Sequence, residues 1–368
     1  MAKGEVLRVP GPDGEREVRL SSADRVMWPA TEAGPAITKG DLAAYVMAVG
    51  PALVRVLADR PVTLQRFPGG IEGEEFYAKN PPKGKPDWVR TTMCTYPSGR
   101  RHLQLVVDEV AAAVWAVQMN TITFHPWPVR TADNDNPDEL RIDLDPQPGR
   151  GFADAVEAAL GLRELLQELG LVPYVKTSGN RGVHVFARIV PELEFLDVRH
   201  GVIAIARELE RRMPELVTTA WWKEERGEKV FVDFNQACRD RTIASAWSPR
   251  PIPGAPVSTP VTWEELPEVD PRSFTVHTVP QRLAEQGDPW DDMDEHPGSL
   301  DGAMALWQTD VDRGLGEMPF PPDYPKMPGE PRRVQPSKRR DDLPDPVDRP
   351  GYKPRPRWID LHPEEAEG

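Results

Sequence analysis

Apolar positions recur along this chain with two periods. Over residues 152–169, Val156, Ala159, Leu162, Leu165, Leu166 and Leu169 return at helical spacing and Gly170 supplies a stop, so the spacing predicts a helix. Residues 198–213 and the Ala-rich run 110–119 read the same way. Thr38 and Asp41 form a capping-box pair ahead of Leu42, Tyr45, Val46, Val49, Leu53 and Leu57, a helical pattern interrupted near Gly50-Pro51. Alternating or short apolar runs predict strands at 62–67, 103–107, 174–176, 183–189 and 229–234. Residues 6–20 alternate around Pro-Asp-Gly, a hairpin pattern. Residues 69–85 read as loop. Helices and strands intermix with hairpin-like pairs, which predicts an α+β fold with mixed sheets rather than a doubly wound parallel sheet.

Composition changes this picture at one end. The 368 residues suffice for a sizeable core, but 42 of them are proline and these crowd toward the C-terminus. Three regions are expected: a hairpin extension (1–20), one domain (21–290), and a Pro-rich, charged, mostly irregular tail (291–368). Cys94 and Cys238 make no metal-ligand spacing and allow at most one bridge, which fits a reducing cytosol. No apolar run has the length of a membrane span, so no membrane partner is expected. The net charge of −14 argues against a uniformly basic nucleic-acid coat, yet it leaves room for a local basic groove.

The candidate chemistry starts at Leu140-Arg-Ile-Asp-Leu-Asp-Pro-Gln-Pro-Gly149. On an extended strand Asp143 and Asp145 project from the same face, with Cα atoms roughly 6.6 Å apart. Pro146 and Pro148 end the strand just beyond them. Asp233 ends a second apolar strand. Three carboxylates at strand ends suit two hard divalent cations, which clamp phosphoryl oxygens during in-line displacement; taken alone, Asp143 and Asp145 read as solvated carboxylates beside a turn, and Asp233 reads equally as a capping Asp. Ser178-Gly-Asn-Arg-Gly-Val-His184 adds a glycine-hinged turn with Arg181 and His184, suited to an anion or to an ordinary hairpin. Phe76 and Tyr77, in a loop with Lys79, Lys83 and Lys85, suit either a core or stacking on unpaired bases.

These segments together resemble the polymerase domain of bacterial non-homologous end-joining DNA ligase D, a branch of the archaeo-eukaryotic primase superfamily. The likeness runs through Asp24-Arg-Val-Met-Trp-Pro29, Arg60-Pro-Val-Thr-Leu-Gln-Arg-Phe-Pro68, Phe76-Tyr-Ala-Lys-Asn80, Phe124-His-Pro-Trp127, Asp143-Leu-Asp-Pro146, Lys176-Thr-Ser-Gly179, Gly182-Val-His184, Val232-Asp233, Pro256-Val-Ser-Thr-Pro260 and Gly287-Asp-Pro-Trp290. It implies a primase-like catalytic fold and extension of a DNA primer with NTPs or dNTPs, in end joining or gap filling. It also implies two Mn²⁺ or Mg²⁺ ions on Asp143, Asp145 and Asp233. Lys79, His125, Ser178, Arg181, His184, Arg226, Gln236 and Arg250 would hold the nucleotide. Phe76 and Tyr77 would face the template, and Arg25 and Lys39 a downstream 5′-phosphate.

Departures from the family pattern are local. Arg181 stands where the family's Ser-Gly-Gly-Lys-Gly turn has lysine, Arg25 replaces another lysine, and Ser22 an asparagine. With no ligase or nuclease motif after Trp290, a stand-alone, monomeric relative is expected, working in the bacterial cytoplasm at the nucleoid beside a separate ligase and an end-binding protein. Two other readings stay open: a two-metal phosphodiesterase or nuclease, and a catalytically weak DNA-end-binding module.

Overall fold

The computed structural model describes residues 4–32, 34–82, 84–96 and 101–319. The N-terminal hairpin pairs β1 (Glu5–Gly11) with β2 (Gly14–Leu20), turning at Pro12-Asp13. Its Val9, Val18 and Leu20 are fully or almost fully buried, so the extension is part of the core. A short pair, β3 (Val26–Trp28) with β4 (Ile37–Thr38), leads into α1 (Lys39–Ala48) and α2 (Gly50–Leu57). The Thr38–Asp41 capping box forms as expected, and the helices break at Val49, just before Gly50-Pro51, with a bend of 77°. No single helix among the described residues is long and apolar enough to cross a membrane.

Next come β5 (Pro61–Arg66), β6 (Phe76–Ala78), β7 (Thr91–Thr95), β8 (Arg101–Val106), α3 (Val110–Gln118) and β9 (Thr121–Pro126). Their sheet runs β6-β5-β8-β7, with β9 also pairing β5. Three of these strands, β6, β7 and β9, correct the sequence reading. Strand β6 lies inside the stretch read as loop: its three residues are too short to show a period, and pairing with β5 creates it. Strand β9 carries His125, whose neighbours alternate too little to be recognised.

The second half holds β10 (Glu139–Pro146), α4 (Phe152–Glu168), β11 (Pro173–Thr177), β12 (Val183–Arg188), α5 (Phe195–Arg212), β13 (Val217–Thr218), β14 (Val230–Asp233), β15 (Pro260–Val261), α6 (Val279–Gln286) and α7 (Asp301–Asp312). Six strands form one sheet, β13-β14-β10-β12-β11-β15, antiparallel except for β13 with β14. Leu140, Ile142 and Leu144 of β10 are fully buried, each worth about 1.5–3 kcal/mol of apolar transfer, and α4 and α5 pack on β10. The alternate residues are therefore left for the other face. The fold is the expected α+β arrangement of helices and mixed sheets.

Residues 291–319 are not the start of an irregular tail. Helix α7 packs along α5, and the chain beyond it returns to α5 through Arg207 donating to Gly316 O at 2.6 Å. Proline is absent from α7 itself, and Ala303 and Met304 supply a buried apolar contact that the surrounding charge obscured. The rest of the expected tail, from 320 on, lies outside the described residues, as does Lys83.

Candidate active site

Backbone register sets the site. Asp143 on β10 lies directly opposite Asp233 on β14 and opposite His184 on β12, and His184 lies opposite Lys176 on β11. Cross-strand partners project from the same face. One row therefore crosses four strands in the order Asp233, Asp143, His184, Lys176, with Asp145 two residues along β10 on the same face.

Side-chain contacts continue the row. His184 Nε2 is 3.3 Å from Asp143 Oδ1, and its Nδ1 is 2.7 Å from Lys176 Nζ. Lys176, fully buried, also donates to Ala244 O at 3.0 Å and to Ser258 Oγ at 2.5 Å. Lys176 received no role from the sequence, although a lysine midway along a buried strand is the signal that marks it. Burial, then Asp145, then Asp233 push the Asp143 carboxyl well above the usual range. Burial also raises Asp233, although Asn235 N–H (3.0 Å to Oδ1) and Gln236 Nε2 (2.8 Å to Oδ2) donate to it.

The three carboxylates share a face without closing on one point. Among the described residues, no three His, Cys, Asp or Glu side chains converge tightly enough to hold a metal ion as they stand. The donor set nonetheless fits hard divalent cations. It is all oxygen, the charges of Asp145 and Asp233 add to burial in raising Asp143, and the buried Gln236 Oε1 beside it has no hydrogen-bond partner.

The glycine-hinged turn sits against the same site. Gly179 has φ +73°, and a Cβ there would lie 2.5 Å from Arg250 Cγ, so Arg250 packs over a position only glycine fills. A Cβ on Gly182 would stand 2.7 Å from Leu144 O and 3.7 Å from Asp145 Oδ1. Two N–H groups of the turn are already engaged within it. Asn180 N–H and Gly182 N–H are spent on Ser178 Oγ, at 3.1 and 3.0 Å, because the hydroxyl folds back on its own loop. For an anion the turn brings the exposed Arg181 side chain and, packed over Gly179, Arg250, whose buried Nε has no partner. A cavity of about 850 Å³ touches Gly179, Asn180 and Arg181 but none of the carboxylates.

The β5–β9 sheet supplies the facing side. His125 Nε2 meets Gln65 Oε1 at 3.1 Å, and its buried Nδ1 has no partner. Burial first, then the charges of Arg250, Lys176 and Arg141, hold this imidazole down at about 3, so it is neutral. Tyr77 packs edge-on to it, with ring centroids 5.4 Å apart. Tyr77 and Phe76 are exposed on β6, and Arg66 lies 4.8 Å over the Phe76 ring.

Other expected residues are already engaged. Arg226 is buried 3.5 Å over the Phe231 ring and donates to Ala220 O and Trp221 O, near enough to Asp233 and Asp145 to feel both charges. Lys79 lies over Tyr96 and 3.9 Å from Asp240. Arg25 is exposed, with one nitrogen on Pro68 O. Lys39 is the clear mismatch. It is 2% exposed, and its ammonium is filled by Ser21 O, Gln118 O and Gln118 Oε1 at 3.1, 2.7 and 2.9 Å. In this state it ties α1 to α3 and has no donor left for a phosphate.

An acidic and cationic row on one mixed sheet thus lies beside a second sheet that carries exposed aromatic side chains. The chain belongs to the LigD primase-polymerase domain family, which it matches over residues 38–290. It is 34% identical over 301 residues to the multifunctional non-homologous end joining protein LigD of Pseudomonas aeruginosa, covering 81% of this chain and 35% of that protein. It is 30% identical over 283 residues to the bifunctional LigD of Bacillus subtilis, covering 76% of this chain and 45% of that one. The chain thus spans less than half the length of these relatives. Among solved structures it is similar to the polymerase domain from Mycobacterium tuberculosis ligase D in complex with DNA, with a TM-score of 0.69 and 29% identity over 76% of this chain and 98% of that one.

Proposed function

We propose that this chain is a template-directed nucleotidyltransferase that adds NTPs or dNTPs to the 3′-hydroxyl of a DNA primer, in end joining or gap filling. The observation that carries this reading is the row Asp233–Asp143–His184–Lys176, which sets paired carboxylates beside cationic and hydrogen-bonding groups on one sheet face. Family membership and the DNA-bound state of the similar Mycobacterium tuberculosis domain support it.

Asp143, Asp145 and Asp233 would hold two Mn²⁺ or Mg²⁺ ions, which when bound lower the pKa of the attacking hydroxyl and neutralise phosphate charge. Arg250 and Arg181 offset charge on the triphosphate as pyrophosphate leaves. His184, held between Asp143 and Lys176, donates or accepts at a fixed place beside them. His125, neutral, offers Nδ1 to the nucleotide, and Gln236 steadies Asp233. Phe76 and Tyr77 stack on the template and Arg25 reads the downstream phosphate. The protein acts as a monomer at the bacterial nucleoid, with a separate ligase and an end-binding protein.

The test is extension of a labelled primer on a gapped, 5′-phosphorylated duplex, with each sugar type and each metal. Lengthening that needs both triphosphate and metal supports the reading. Shortening without triphosphate establishes a nuclease instead. A DNA-end-binding module has one observation in its favour, that the carboxylates are not drawn into a metal cage. Tight end binding without incorporation in Mn²⁺ would establish it.

A further inference from the structure

Helix α5 carries a fully buried arginine on its apolar side, Arg199, at the four-residue spacing from Phe195 and beside Val198 and Val202. A guanidinium without exposure is stable only if its donors are met. Arg199 Nε donates to Asn235 Oδ1 at 3.1 Å, and its plane lies 5.6 Å over the Phe234 ring. These are the two residues that follow Asp233. The other donors reach the end of the described chain: Nη1 to Glu317 Oε2 at 2.7 Å, and Nη2 to Met318 O at 2.9 Å and Pro319 O at 3.2 Å.

The two sides of this arginine are also joined directly. Asn235 Nδ2 donates to Pro319 O at 3.2 Å, while Asn235 N–H caps Asp233 Oδ1 at 3.0 Å. The strap after α7 is fixed independently. Glu317 meets His200, which stacks on Trp307 of α7 with centroids 4.2 Å apart and planes 4° apart. Leu315 N–H returns to Asp310 O at 2.8 Å. Helix α7 and the strap lie beyond residue 290, where the family match ends, whereas Arg199, His200, Asp233 and Asn235 lie within it.

We infer that Arg199 and the strap 315–319 are positioning elements for Asp233. The strap supplies acceptors to the arginine, the arginine fixes Asn235 and Phe234, and Asn235 fixes the carboxylate. Without the strap, the Arg199 nitrogens that donate to Glu317, Met318 O and Pro319 O lose those acceptors in a buried place, and the loosened side chain frees the turn that aims Asp233. The inference rests on the proposed role of Asp233.

The test compares the full chain with chains ending at Gly314 and at Pro319, and with Glu317→Gln and Arg199→Met. Thermal unfolding, kcat, nucleotide KM and Mn²⁺ affinity are read for each, the last from the free-ion electron paramagnetic resonance signal with no substrate present. The chain ending at Gly314 and Arg199→Met are expected to lose about tenfold or more in kcat, with nucleotide KM within about twofold and weaker Mn²⁺ binding, since misplacing one group by an ångström costs on that scale. Glu317→Gln should show the same pattern, reduced, and the chain ending at Pro319 none of it. A folded chain ending at Gly314 with full kcat and full Mn²⁺ affinity overturns the inference. If that chain does not fold, unchanged kcat and Mn²⁺ affinity in Glu317→Gln overturn it. A full chain that binds Mn²⁺ but never extends a primer defeats the polymerase reading instead, and the positioning role is then decided on Mn²⁺ affinity.

Discussion

Strand β10 and the residue before it carry four acidic side chains, and its two ends treat them in opposite ways. At the start, Asp138 accepts from Arg60 through both oxygens, at 2.6 and 2.9 Å, and from Arg130 at 2.6 Å; Glu139 meets Arg141 at 2.6 Å and Arg188 at 2.9 Å. Burial pushes both carboxyls up, yet the surrounding guanidinium groups outweigh it and hold them below the usual range. Four residues later Asp143 faces Asp233 and Asp145, and its carboxyl is pushed up. One strand thus holds charge that is answered internally and charge left for something outside the chain. The first kind builds the fold and the second kind makes a site.

The largest test of that contrast is Asp143→Asn. Primer extension should fall by about 10³-fold or more, the upper range for losing one preorganised charge contact. DNA binding, measured by anisotropy, should persist. In metal-free buffer the variant should be as stable as the parent or more so by up to about 2 kcal/mol, because a buried like-charge repulsion is removed. Clear destabilisation in urea titration would mean that Asp143 belongs with the structural carboxylates.

The converse change is Arg60→Met at the other end. Arg60 is fully buried against Asp138 and Glu139, and removing one partner of a buried ion pair costs about 3–5 kcal/mol. The urea midpoint should drop accordingly, while turnover per folded molecule changes little. The pH dependence follows with its sign fixed. Carboxyls with depressed folded pKa values give stability that is fully present above the unfolded value of about 4 and drains away as pH falls below it. Stability of the parent should therefore fall steeply below about pH 4, and that of Arg60→Met less steeply.

This contrast was only half legible in the sequence. Asp143, Asp145 and Asp233 stood out because acidic residues ended apolar strands, and the strand spacing already put two of them on one face. The row to His184 and Lys176 was hidden, since register between distant strands comes from pairing and not from local pattern. Lys39 misled for a related reason: the motif matches the resemblance, but whether an ammonium faces solvent or the Gln118 acceptors is a tertiary fact. Arg199 was missed, although a charge on an apolar helix stripe marks it, and its meaning came only with the strap.

The same distinction between filled and open charge predicts a smaller difference between Arg25 and Lys39. Arg25 is exposed, with one nitrogen on Pro68 O, whereas all three Lys39 contacts are internal, and burial, Arg25 and Arg66 lower it to about 8. If Arg25 reads the downstream phosphate, Arg25→Ala should reduce the salt dependence of DNA binding by about one counterion and weaken binding to 5′-phosphorylated ends selectively. Lys39→Met should leave both unchanged and lower stability by about 1–3 kcal/mol, because Gln118 keeps a buried acceptor without a donor. A Lys39 variant that loses phosphate selectivity while keeping its melting temperature would show that this lysine swings out to the DNA, and that a filled charge here belongs to the site after all.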